Sequence, residues 1–305
     1  MRAIRIIEYK PSDRLFEKRV IALGLFDGVH IGHREIIKRA VCEAKRLSLP
    51  TAVFTFKQSS RLKNGTRIYS DEEKINLIAE CGVDEILLAQ FEDFCTQSAS
   101  DFIKKTLVQN LNCAVAVTGA DFRFGYGALG CAGMLSEIMR ELERDVITVE
   151  DVMAHGVKIS STDIKKHLSL GNVKLAAELL GKPYYVRASA ERGMGLGKSF
   201  GFPTLNTDIS DWEISLPRGV YATVCEIDGK EYNSLTNVGN CPTVSDRPTH
   251  RETFILGFNR EIYGERVKIS FVDYIRDEKK FSSVDELKMQ IKVDIEKTFG
   301  AKEGE

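Results

Sequence analysis

No cysteine in this chain stands in C-x-x-C spacing. The seven cysteines, Cys42, Cys81, Cys95, Cys113, Cys131, Cys225 and Cys241, are scattered and odd in number. That argues against a zinc ribbon or a disulfide framework and predicts reduced thiols in a cytoplasmic setting. No apolar run approaches the roughly 20 residues of a membrane span. The opening residues, MRAIRIIEYKPSDR, lack the apolar stretch of a secretory leader. Neither sign of charge is in excess: the formal net charge is −1. The chain therefore carries no electrostatic footprint for nucleic acid or an anionic membrane. Internal repeats and low-complexity tracts are absent. So is an intact P-loop. The stretch GMGLGKSFGFPTLN at residues 193–206 contains GLGKS, but Arg192 stands where the pattern needs its first glycine. A P-loop lysine and serine open a helix. Here Phe202 and Pro203 follow closely, and proline pushes its predecessor towards extended geometry. The three glycines Gly193, Gly195 and Gly197 still allow close backbone approach to an anion, so the stretch is read as a glycine-rich flap.

What is present fits a two-domain globular protein. The length of 305 residues exceeds what one core usually serves, and 43% of residues are apolar. Residues 20–26 (VIALGLF), 51–56 (TAVFTF), 85–91 (EILLAQF), 114–118 (AVAVT) and 146–149 read as buried parallel strands. Amphipathic segments alternate with them at residues 34–47, 71–81 and 101–111. Ser70 with Glu73 forms a capping box for the second, and Ser100 is the expected cap of the third. This alternation predicts a doubly wound α/β domain. Two short helices follow, at residues 162–170 and 172–180, ended by Gly171 and Gly181. The boundary is expected there: a first domain over residues 1–170, a linker helix over 171–182, and a second domain over 183–305. The second half holds short segments rich in β-branched and aromatic residues, at 184–192, 219–227, 231–238, 253–258 and 266–275. Asp228-Gly229 is a hairpin signal. These predict an antiparallel barrel or sandwich. A closing helix is expected over 284–299, with Ser283 and Glu286 as a second capping box.

The first chemical cluster is FDGVHIGH at residues 26–33. His30 and His33 sit three apart where a buried strand ends and a helix begins. Open α/β sheets bind ligands at that end, and a helix N-terminus favours anions. Imidazoles there can hydrogen-bond to phosphate oxygens, while Gly28 and Gly32 let the backbone approach. Zinc would need two further ligands, and no matching pair is evident.

FDGVHIGH resembles the HxGH signature of the nucleotidyltransferase superfamily. The spacing of the remaining motifs is similar, over nearly the whole chain, to the bacterial bifunctional riboflavin kinase/FMN adenylyltransferases. The resemblance implies an HxGH nucleotidyltransferase domain followed by a small antiparallel β-barrel kinase domain with a C-terminal helix. It implies ATP binding by Gly24, Phe26, Asp27, Gly28, His30 and His33, with both histidines catalytic. TGADFRFGYGALG at residues 118–130 resembles the family's flavin loop, which implies flavin contacts from Asp121, Phe122, Arg123 and Phe124. KISSTDIKKHL at residues 158–168 resembles the family's I-S-S-T-x-I-R motif, which adds Ser160, Ser161, Thr162 and Lys165 to the ATP set. Two departures stand out: Lys165 replaces an arginine, and Lys57-Gln58-Ser59-Ser60 follows Phe56 where the family shows P-H-P.

GLGKSFGFPTLN resembles the kinase domain's G-R-x-x-G-F-P-T-x-N region. This implies that Gly193, Gly195, Gly197 and Lys198 cover ATP and that Thr204 and Asn206 hold Mg²⁺. Two oxygen donors at i and i+2 of an extended segment point the same way, as a shared hard cation requires. NVGNCPT at residues 237–243 and RETFILGF at 251–258 resemble the same domain, and Glu252 takes the place of the family's catalytic base. IRDEKKF at residues 275–281 resembles the segment that closes over the flavin, through Arg276 and Glu278. The implied reaction makes FMN and then FAD from riboflavin and two ATP with Mg²⁺. A kinase with a degenerate first domain and a non-catalytic flavin-nucleotide sensor stand as alternatives. The expected partners are small molecules, with no nucleic acid and no membrane, and the chain is taken as a monomer or weak homo-oligomer.

Overall fold

The computed structural model describes residues 4–57, 66–191, 204–239, 250–279 and 281–300. The chain divides into two compact units, Met1–Ser161 and Thr162–Glu305.

The first unit is built on a parallel sheet. In chain order its elements are β1 (Arg5–Tyr9), β2 (Arg19–Leu23), α1 (Ile31–Leu47), β3 (Thr51–Lys57), α2 (Asp71–Ala79) and β4 (Glu85–Gln90). A short turn, α3 (Ala99–Asp101), then runs into a π-type helix, Phe102–Asn110. After it come β5 (Cys113–Gly119), the two-residue ribbon β6 (Arg123–Phe124) and β7 (Gly130–Cys131), α4 (Ala132–Glu141) and β8 (Asp145–Val149). A second small ribbon, β9 (Met153–Ala154) and β10 (Val157–Lys158), ends the unit. The main sheet has the order β1-β4-β3-β2-β5-β8 with every pair parallel. All five residues of β2 are buried, as its unbroken apolar run predicts for a central strand covered on both faces.

Three features depart from the sequence expectation. The helix expected over residues 101–111 starts at Ala99, and its cap is Ser98, not Ser100: the Ser98 hydroxyl accepts the Asp101 N–H at 3.0 Å. Ser98 lies three residues before the N–H it satisfies, the reach of an N-cap side chain. β1 is an added edge strand. α4 is an added helix whose N-cap, Cys131, makes no side-chain capping bond.

The helix α5 (Ser161–Ser169) starts on the last residue of the first unit and runs into the second, where α6 (Val173–Leu180) follows. An antiparallel sheet follows: β11 (Tyr184–Ser189), β12 (Thr204–Asp208), β13 (Gly219–Ile227), β14 (Lys230–Gly239), β15 (His250–Ile255) and β16 (Arg266–Arg276). The helix α7 (Val284–Phe299) closes it. The strand order is β11-β16-β13-β14-β15-β12. Beyond β11, Glu191 forms an antiparallel bridge with Asn206 of β12, its N–H meeting the Asn206 carbonyl at 2.7 Å. The two edges are thereby joined, which removes most of the exposed edge. The hairpin between β13 and β14 turns at Asp228-Gly229, both at positive φ (50° and 76°), the signature of a type I′ turn.

Side chains alternate across these strands. Along β15 the pattern is intermediate, buried, intermediate, buried, intermediate, buried, so Arg251 and Thr253 face inward and Glu252 faces out. Inside, hydroxyls satisfy one another across strands: Ser234 to Thr223 at 2.8 Å, Thr223 to Thr236 at 2.8 Å, and Thr236 to Thr253 at 2.9 Å. Buried Arg251 pairs with buried Glu213 and donates to the Asp208 carbonyl. These bonds offset the cost of polar groups in a core. Tyr184, Tyr221 and Phe271 supply the apolar remainder.

Candidate functional sites

In the first unit the chain leaves β2 for β3 on one side, and β5 lies on the other. The carboxyl ends of β2 and β5 therefore flank the topological switch point, where such sheets bind ligands. The sequence places its histidines there. His30 is the N-cap of α1, and its Nδ1 accepts the His33 N–H at 3.3 Å. The two rings stack with centroids 3.6 Å apart, and Phe26 meets His33 edge-on at 5.3 Å. Phe26 and Val29 hold positive φ values of 52° and 41°, a strained geometry that clusters at functional loops. Gly28 has no room for a side chain: a Cβ would lie 2.6 Å from Ile68 Cδ1.

Burial sets the charge of both histidines. It pushes His30 down from 6.5 to about 4; Asp27 and Asp121 oppose the shift, and Lys158 adds to it. His33 is held well below its ordinary value, by burial first and then by His30. Both imidazoles are neutral near pH 7. Because His30 Nδ1 is an acceptor, its Nε2 carries the proton and is a donor. Among the described residues, buried His33 Nδ1 meets no hydrogen-bond partner.

Asp27, in the same loop as this pair, is held at both its carboxylate and its carbonyl. The Asp27 carboxylate accepts the Ile68 N–H at 3.2 Å, and the Asp27 carbonyl accepts the Ser161 hydroxyl at 2.8 Å. The Ser-Ser-Thr segment is thus fastened to the histidine loop. Thr162 and Lys165 lie on α5. In the flavin loop, Phe124 is a core residue, and Phe122 stacks on it at 5.2 Å, half-buried. Arg123 and Asp121 are exposed. Lys158 grips both Asp121 and Asp151 at 2.7 Å. Sequence reasoning passed over that ionic cluster, and over Lys74. The Lys74 side chain is 1% exposed, and its ammonium donates to the Phe56 carbonyl at 2.6 Å. It secures the end of β3, where the departure from P-H-P begins. Gln58, Ser59 and Ser60 lie outside the described residues.

Acid should expose the cost of keeping His30 neutral. Between about pH 6.5 and 4 the unfolded chain binds a proton that the folded His30 refuses. Stability therefore falls as pH drops through that window, by about 3 kcal/mol from this group. His30→Asn keeps a capping acceptor but does not titrate. Its urea midpoint, followed by circular dichroism at pH 7 and 4.5, is expected to drop less than that of the unaltered chain. Equal drops would show that His30 does not carry the acid sensitivity.

In the second unit, Thr204 and Asn206 lie on the same face of β12, both half-buried. The Thr204 hydroxyl donates to Glu252 Oε1 at 2.7 Å. Asn206 and Glu252 are directly paired across β12 and β15. The predicted cation ligands and base thus form one cluster. Two neutral oxygens beside a carboxylate suit Mg²⁺, which takes few protein ligands and keeps water and phosphate oxygens. Thr204 commits its proton to Glu252, leaving lone pairs for a cation. Glu278 accepts the Asn237 amide at 3.2 Å. Asn237, absent from the sequence-derived set, is paired with Glu252 across β14 and β15. Arg276 is held by Asp294 of α7 at 2.9 and 2.8 Å and lies 5.8 Å from the Phe281 ring. Gly193, Gly195, Gly197 and Lys198 of the flap lie outside the described residues, as do residues 240–243 of the NVGNCPT stretch.

A parallel α/β unit with a histidine pair at its switch point, followed by an antiparallel barrel with a hydroxyl–carboxylate cluster, defines a two-domain phosphate-transfer enzyme. Comparison with known proteins gives the family. Residues 12–163 match the FAD synthetase family and residues 180–300 match the riboflavin kinase family. The bifunctional riboflavin kinase/FMN adenylyltransferase of Escherichia coli (strain K12) is 34% identical over 279 residues, covering 89% of each chain. That of Bacillus subtilis (strain 168) is 35% identical over 290 residues, covering 91% of this chain and 90% of its own. A Streptococcus pneumoniae crystal structure named as a macrolide-efflux protein is 32% identical. It superposes with a TM-score of 0.88, covering 97% of this chain and 99% of that one. The chain belongs to the bifunctional riboflavin kinase/FMN adenylyltransferase family. Among the described residues no helix is long and apolar enough to cross a membrane.

Proposed function

We propose that the chain makes FMN from riboflavin and ATP in its second unit and FAD from FMN and a second ATP in its first. The observation that carries this reading is that each unit holds its own reactive cluster inside its own family match: His30 and His33 in the first, Thr204 and Glu252 in the second.

In the kinase step Glu252 takes the proton of the flavin's 5′-hydroxyl as that oxygen attacks the γ-phosphorus of ATP and ADP leaves. The bond from Thr204 keeps one carboxylate oxygen fixed and leaves the other for the substrate. Thr204 and Asn206 would hold Mg²⁺, which when bound neutralises phosphate charge. Arg276 and Glu278 border the flavin, and the glycine flap with Lys198 covers ATP.

In the adenylyl step a phosphate oxygen of FMN attacks the α-phosphorus of ATP, and pyrophosphate leaves. His30 donates through Nε2 to a phosphate oxygen, and His33 lies stacked behind it. Neutral donors orient the phosphates without competing for the proton balance of the reaction. Gly24, Phe26, Asp27 and Gly28 shape the loop around ATP, joined by Ser160, Ser161, Thr162 and Lys165. Asp121, Phe122 and Arg123 line the flavin, and Phe124 anchors them in the core. We take the chain to work in the cytoplasm on small molecules, as a monomer or weak homo-oligomer, without binding nucleic acid.

Incubation of the purified protein with riboflavin, ATP and Mg²⁺, with flavins separated by chromatography, is expected to yield FMN first and FAD later. FMN alone, persisting when FMN or reduced flavin is supplied, would leave only the kinase half of the reading standing.

A further inference from the structure

One transverse row of the barrel reads Asn206, Glu252, Asn237, Val220, Arg276 across β12, β15, β14, β13 and β16. The chain runs on past Arg276, and two residues later Glu278 returns to the same row, accepting the Asn237 amide at 3.2 Å. It presses closely on β14. A Cβ on Gly239 would lie 2.4 Å from Glu278 Oε1 and 3.3 Å from Asn237 Nδ2. Glycine at 239 is what allows the carboxylate to lie over the strand. Asn237 is therefore flanked by two carboxylates: Glu252 directly opposite in register, and Glu278 from the segment after β16.

Directly opposed residues keep their Cβ atoms about 4.5–5.5 Å apart, so a chain whose terminal hydroxyl reaches Glu252 from the β14 side, away from Asn206 on β12, passes Asn237 within side-chain reach. A hydroxyl both donates and accepts. The amide oxygen and remaining N–H of Asn237, with the oxygens of Glu278, offer both complements side by side. We infer that Asn237, braced by Glu278, is a substrate-specifying residue that binds the hydroxyl-rich side chain of the flavin next to the one hydroxyl that reacts. This rests on the kinase reading of Glu252. It makes the site selective for a flavin bearing a polyol over the bare ring system, because a polar pocket loses its partners when the hydroxyls are missing.

The test compares riboflavin with lumiflavin, which has the ring system and no polyol chain. Phosphorylation of riboflavin by the unaltered chain decides the kinase reading before any variant is compared. Asn237→Leu then keeps the side-chain size and removes the amide. Riboflavin binding, followed by quenching of flavin fluorescence, is expected to weaken by about 10-fold, with KM rising more than kcat falls. Lumiflavin binding is expected to stay within about twofold, and Asn237→Ser to recover part of the riboflavin loss. A thermal midpoint by circular dichroism close to that of the unaltered chain reports that the barrel carrying Asn237 is folded. Equal weakening towards both flavins would make Asn237 merely structural and overturn the inference, as would unchanged binding of both.

Discussion

Replacing Glu252 by glutamine is expected to lower riboflavin phosphorylation by about 10²–10⁴-fold, the range for loss of a general base, while adenylylation of supplied FMN continues. The selectivity follows from where Glu252 stands. It is half-buried on the outer face of β15, bonded to Thr204 and paired in register with Asn206 and Asn237. It contributes nothing to the inward ladder of hydroxyls or to the Arg251–Glu213 pair. Glutamine has the same shape and can still meet Thr204, so the sheet has no reason to rearrange. What is lost is the ability to take a proton. The measurement is the initial rate of FMN formation beside the rate of FAD formation from FMN. An unchanged kinase rate would remove Glu252 from the role of base.

The second large effect is expected at the other site. His30→Ala combined with His33→Ala should lower FAD formation by at least about 10²-fold, as loss of donors placed at developing phosphate charge does elsewhere, and leave FMN formation intact. The pair acts as a unit. The Nδ1 of His30 caps the helix at the His33 N–H, which fixes the proton on Nε2, and the stacked rings bury each other. Removing both also removes a helix cap, worth about 1 kcal/mol. His30→Asn, which keeps a capping oxygen, separates that loss from the catalytic one and should still be slow. If both products fell equally in the double variant, two independent sites would be the wrong picture.

Much of this arrangement is legible in the sequence because strong local signals agree with the fold. The unbroken apolar run at residues 20–23 belongs in the middle of a parallel sheet, and β2 is buried throughout. Ser70 and Ser283 cap the helices they precede, and Asp228-Gly229 makes its hairpin turn. What escapes the sequence lacks such punctuation. β1, RIIEY, is an edge strand with three of its five residues exposed, so it carries no apolar run. α4 begins at a cysteine with no capping bond, where no start signal exists. At the sites, His30, His33, Thr204 and Glu252 are visible because motif spacing places them. Asn237 depends on register between strands 15 residues apart along the chain, and the Lys158 cluster on a meeting of distant loops. The Lys158 cluster has no local pattern to read, and the NVGNCPT stretch marks Asn237 without showing what stands opposite it. Phe124 reads equally well as ring-binding or core from its type alone; packing against Phe102 and Phe122 puts it in the core.

The bridge between Glu191 and Asn206 bears on how such an enzyme can diverge. The chain that leaves the barrel after β11 must return to one fixed point on β12, whatever lies between. Both feet of that excursion are held by main-chain hydrogen bonds, which do not depend on side-chain identity. Lengthening a loop between fixed feet is cheap, about 0.6 kcal/mol for each doubling. The stretch between these feet can therefore gain, lose or exchange residues over generations, while the hydroxyl ladder and the row of Asn206, Glu252 and Asn237 stay in register.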